Sequence, residues 1–74
     1  MSRSLEELKA RSQPARGHPE LVKIAAGSSP TTSFNLALAK TGDLGLAKAT
    51  RWLATIRRDY GEKQFREVVE TSAE

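Results

Sequence analysis

Seventy-four residues, with 12 Lys and Arg against nine Asp and Glu, make a short basic chain of net charge +3, enough for one small domain and too little for two. It has no Cys and one His, which excludes a disulfide framework, a thiolate zinc site, a cysteine nucleophile and a His-rich metal centre. At 38% hydrophobic and 28% charged residues it is neither disordered nor membrane-like by composition, it has no apolar run that could span a bilayer and no signal-peptide core at its start, and a cytoplasmic location is expected.

In chain order, Ser4-Leu-Glu-Glu7 fits a capping box, in which the Ser side chain caps an amide three residues on and the Glu reaches back. A short helix from Leu5 to about Arg11 follows, its large apolar residues Leu5 and Leu8 one turn apart. Gln13-Pro-Ala-Arg-Gly17 reads as the break that ends it. Residues 1–17 are therefore expected to be an N-terminal arm, loosely attached to a helical domain over residues 18–74.

His18-Pro-Glu20 opens the next helix, because Pro suits the first helical position and Glu20 suits the positive end of the helix dipole. Leu21, Ile24 and Ala25 form its inner face, and Gly27 is expected to close it in the usual C-terminal role. Ser28-Ser-Pro-Thr-Thr32 is a turn rich in capping residues. From Ser33 a third helix places Phe34, Ala37 and Leu38 at i, i+3, i+4 and stops at Thr41-Gly42. Leu36 is off that stripe and faces a neighbouring helix or a partner.

Asp43 caps the fourth and longest helix, Leu44 to about Tyr60. Leu46, Ala49, Leu53, Ile56 and Tyr60 recur three and four residues apart, Trp52 widens that stripe, and Lys48, Arg51, Thr55 and Arg58 occupy the opposite face. Gly61 ends the helix. Phe65, Val68 and Val69 give a last short helix one apolar face, and the tight linker predicts a hairpin of helices four and five with Phe65 near Trp52 or Ile56. The class expected is all-α, a compact bundle of four to five short helices with this C-terminal hairpin.

Charge is uneven along the chain. Residues 1–26 carry five basic and three acidic side chains, residues 27–60 five and two, and residues 61–74 two and four. A chain with a positive body and a negative tail suits an acidic partner or self-association.

The inventory for catalysis is thin. His18 is the single imidazole, the side-chain type most often used for proton transfer, but its place before Pro19 at a helix mouth favours a cap or an exposed loop residue. Ser28 and Ser29 lack a nucleophile elbow, and Thr41-Gly-Asp-Leu-Gly45 lacks the Gly-Lys-Ser/Thr ending and the preceding strand of a phosphate loop. The acidic pairs read as solvated helix faces, so no metal and no cofactor are expected, and no enzymatic activity. Small size and basic balance are shared with accessory proteins that phages and mobile elements encode.

A regulatory or inhibitory protein-binding module is the first expectation, its partner an acidic protein surface, with no membrane. The contact residues expected are Lys48, Arg51, Thr55 and Arg58, together with Leu36; exposed leucines would also support a homodimer. The alternative is a small DNA- or RNA-binding regulator using the same basic face, although the segment Leu38 to Trp52 fits a helix-turn-helix poorly.

Overall fold

Ser4 is extended, and its hydroxyl accepts the Glu7 amide at 3.1 Å, which starts α1 (Leu5–Arg16). The computed structural model describes residues 4–72 as five helices and no strand: α1, then α2 (Pro19–Gly27), α3 (Pro30–Thr41), α4 (Leu44–Tyr60) and α5 (Glu62–Ser72). The all-α bundle expected from the periodicity is what forms.

The break expected at Pro14 does not occur. Helix α1 runs through it, and Leu8, Ser12 and Ala15 are fully buried. Pro14 and Ala10 are both exposed, so the carbonyl that loses its i+4 amide faces water, where the missing bond is cheapest. Arg16 ties the helix end down by donating from Nη2 to the Lys9 carbonyl at 2.9 Å and from Nη1 to the Val68 carbonyl of α5 at 3.5 Å. Residues 5–16 are thus a wall of the core, packed on α4, rather than a loose arm.

Three helix boundaries illustrate different chemistry. Pro19 is the first residue of α2, and His18 precedes it in extended conformation without a side-chain cap. At the other end Gly27 stays helical and the chain leaves through an extended Ser28, so this glycine does not make the left-handed turn expected of it. Helix α3 begins three residues earlier than Ser33, because Ser29 is the cap: its Oγ accepts the Thr32 amide at 3.3 Å and Pro30 supplies the first turn.

Gly42 adopts φ 68° and its amide returns to the Leu38 carbonyl at 2.8 Å, ending α3. One residue later Asp43 accepts the Leu46 amide at 3.1 Å and starts α4. Gly61, at φ 95° and ψ 167°, forms the one-residue link to α5 in a region that only glycine occupies freely.

Helix α4 is the axis of the molecule. It packs most extensively on α1 and α3, and also on α2 and α5. Ala47, Ala49, Thr50, Leu53, Ala54 and Ile56 are buried along it, a wider face than an amphipathic surface helix has, because four helices surround it. Helix α5 folds back on α4 as the short linker requires, and Phe65 and Val68 join the buried cluster that contains Ile56. Buried hydroxyls are satisfied locally: the Thr50 hydroxyl donates to the Leu46 carbonyl at 2.8 Å, and Ser33 donates to the carbonyls of Ser28 and Ile24 across the α2–α3 turn. No helix among the described residues is long and apolar enough to cross a membrane.

Candidate binding strip on helix α4

The helices that flank α4, α1 on one side and α3 on the other, do not pack appreciably on each other. Among the described residues, a lengthwise sector of α4 therefore lies between these two helices, covered by neither of them completely. By helical spacing that sector holds Leu44, Lys48, Arg51, Trp52, Thr55, Arg58 and Asp59, the side of the helix away from Leu46 and Leu53. Lys48, Arg51, Thr55 and Arg58 lie on one side of α4 by this spacing, whereas Leu36, on α3, does not join them.

Their exposure differs from what a solvated basic face would have. Thr55 is 7% exposed and its hydroxyl donates to the Arg51 carbonyl at 2.9 Å, so it is a floor residue and is not available as a surface contact. Arg51 is half-buried. Its guanidinium carbon lies 4.9 Å from the Trp52 ring centre and 5.6 Å from that of Phe34 on α3, within the range of a cation–π contact. From α1, Arg11 reaches the same indole at 5.4 Å while its Nε donates to Glu7 at 3.0 Å. Three helices thus contribute to one strip of alternating cations and rings: Phe34, Arg51, Trp52 and Arg11.

Arg51 is the unusual member. Its Nε is buried with no hydrogen-bond partner, and among the described residues no carboxylate stands within ion-pair distance of it. A buried donor left unsatisfied costs about 1 to 3 kcal/mol, which the two ring contacts, about 0.5 to 2 kcal/mol each, offset in part. Lys48, one turn earlier, is exposed and likewise has no carboxylate partner among the described residues. Arg58 lies at the far end and is occupied: Asp59 accepts from its Nε at 2.9 Å. That hydrogen bond, with the adjacent negative charge, raises the Arg58 pKa further above its ordinary value.

Leu36 is 46% exposed but stands on the side of α3 away from Phe34 by helical spacing, so it does not join the strip. The sequence reading missed Arg11, Phe34 and Trp52 as members. Trp52 was detectable, since it follows Lys48 by four residues and precedes Thr55 by three. Arg11 was not, because its helix was expected to end there.

Elsewhere, α2 and α5 pack on α4 far more than on each other. Between them lies a shallow cleft of about 380 Å³ floored by Val22, Ala26, Phe65 and Val69. Among the described residues no group of three or more His, Asp or Glu is placed to hold a metal ion, and His18 is exposed at the mouth of α2. Comparison with protein-family models, curated proteins and solved structures gives no match.

Proposed function

We propose that this protein is a non-enzymatic, cytoplasmic binding module that regulates or inhibits a protein partner by docking the α4 strip on an acidic surface. The observation that carries the reading is Arg51, a half-buried guanidinium held on two aromatic rings with no carboxylate partner among the described residues. A cation partly desolvated and positioned in advance loses little freedom when it meets an anion, and Arg and Trp are both enriched at the energetic centres of interfaces. Lys48 adds a second, exposed charge that would steer the encounter.

A photo-reactive residue placed at Lys48, with an equivalent at the exposed Lys23 of α2 as control, tests the reading in extract of the source cell. Cross-linking to one protein from position 48 and not from position 23 is the expected result. Cross-linking to DNA or RNA instead would make the chain a nucleic-acid regulator, and equal labelling from both positions would mean that the strip is merely solvated.

A further inference from the structure

The charge on the strip is compact. Lys48 and Arg51 are three residues apart on α4, which places their Cβ atoms about 5 to 6 Å from each other on one side of the helix. At the margins the positive charges are already neutralised, Arg11 by Glu7 and Arg58 by Asp59, and Asp43 caps the start of the helix. Among the described residues, the open field therefore amounts to about two positive charges with carboxylates around them.

A nucleic-acid backbone fits this poorly. Binding that relies on phosphates commonly engages about 6 to 10 of them, and those beyond the first two would meet the already paired Arg11–Glu7 and Arg58–Asp59, which offer no net positive charge. Two carboxylates on one turn of a helix have the same separation as Lys48 and Arg51. A carboxylate also accepts two parallel N–H bonds from a guanidinium whose plane is held by rings.

Taking the strip as a protein-contact surface, on which the following rests, we propose that its ligand is a short acidic helical segment of the partner, with one carboxylate on the Arg51 guanidinium and a second, one turn away, on the Lys48 ammonium. The stack of Trp52 against Arg51 makes the indole the reporter of occupancy, because a carboxylate drawn to the guanidinium changes the charge 4.9 Å from the ring.

Trp52 is the only tryptophan, so its emission in the full chain reads the site directly. The probes are an alanine-based helical peptide with Glu at two positions four residues apart, the same peptide with Gln at both, a random-sequence DNA duplex, and inorganic phosphate. The Glu peptide is expected to shift the emission saturably and the Gln peptide, which loses both charge pairs, to bind well over tenfold more weakly, since each close pair is worth about tenfold. Lys48→Met and Arg51→Met should each weaken the Glu peptide by about tenfold or more, with the far-UV helix signal of both variants retained.

Equal binding of the Glu and Gln peptides, or no saturable shift with either, would overturn the proposal. Tighter binding of the duplex, with a steep fall as salt rises, would replace the acidic segment by nucleic acid, and a phosphate response as strong as the peptide's would reduce the site to a general anion site. If cross-linking from position 48 still captures a protein while the Glu peptide fails, the contact surface stands and only the acidic segment falls.

Discussion

At the residue scale, Arg51 serves two ends that substitutions can separate. Its aliphatic stem and planar head cover Phe34 and Trp52, and its buried Nε carries the penalty of an unmade bond. Arg51→Ala removes the cover and should lower stability by about 1 to 2 kcal/mol in urea denaturation. Arg51→Met keeps a stem of similar reach, makes sulfur–aromatic contacts and deletes the unsatisfied donor, so it should stay within about 0.5 kcal/mol of wild type or exceed it. A Met variant as unstable as the Ala variant would show that the guanidinium itself holds the rings together.

Arg58→Glu is expected to leave the melt almost unchanged, since the side chain is 61% exposed and paired only with its neighbour, a kind of contact worth about 0 to 1 kcal/mol. Spacing on α4 was enough to put Lys48, Arg51, Thr55 and Arg58 on one side. It could not show that α1 and α3 rise on either flank and sink Thr55 and half of Arg51, because periodicity gives direction from one helix axis and says nothing about the height of the neighbours.

At the scale of elements, α1 departs most from its sequence signals. A proline two residues before the end of a helix, as Pro14 is in α1, normally argues for an earlier stop. Here burial of Leu8, Ser12 and Ala15 on α4 favours continuing the helix, and the exposed side absorbs the lost bond. Pro14→Ala restores the amide without disturbing the packed face, and the expected outcome is a higher melting temperature, corresponding to about 1 kcal/mol or more. An unchanged or lower melt would mean that proline rigidity in the unfolded chain outweighs the restored bond.

Leu8→Ala tests the same docking from the inside. Removing a fully buried leucine costs about 2 to 5 kcal/mol, comparable to the whole stability available to a domain of this size. Loss of the cooperative transition in the far-UV melt is expected, and a melt within a few degrees of wild type would return residues 5–16 to the status of a dispensable arm.

The caps were legible where side chain and spacing agree, at Ser4, Asp43, Gly42 and Gly61. Gly27 and Ser33 misled for a common reason. A glycine beside two serines and a proline offers several ways to end one helix and begin the next, and Ser29 with Pro30 won.

For the whole molecule, six of the twelve buried apolar residues described are alanines. Small side chains let α1 and α3 approach α4 closely but bury little area each, so the core contributes modestly. Leu36 and Leu44 remain 46% and 51% exposed. Covering them would suit a second copy of the chain, and a melting temperature that rises with protein concentration is the expected sign of it. Light scattering at a constant 8.1 kDa over the accessible concentration range would leave these leucines simply solvated.

The helical class followed from composition and period alone, whereas the role of α4 as the axis of the bundle did not. Its stripe of Leu46, Ala49, Leu53 and Ile56 describes a helix buried on one side, and the small residues Ala47, Thr50 and Ala54 that allow burial elsewhere carry no distinctive signal in a single sequence.

The most direct test of α4 as the binding surface is capture of the partner from extract of the source cell by wild type, by Lys48→Glu and by Lys23→Glu. Both lysines are exposed, and both reversals should change stability by less than about 0.5 kcal/mol. Loss of the captured protein with Lys48→Glu alone, at unchanged melting temperatures, is the result expected if the strip of Lys48, Arg51 and Trp52 makes the contact. Undiminished capture by Lys48→Glu would contradict it.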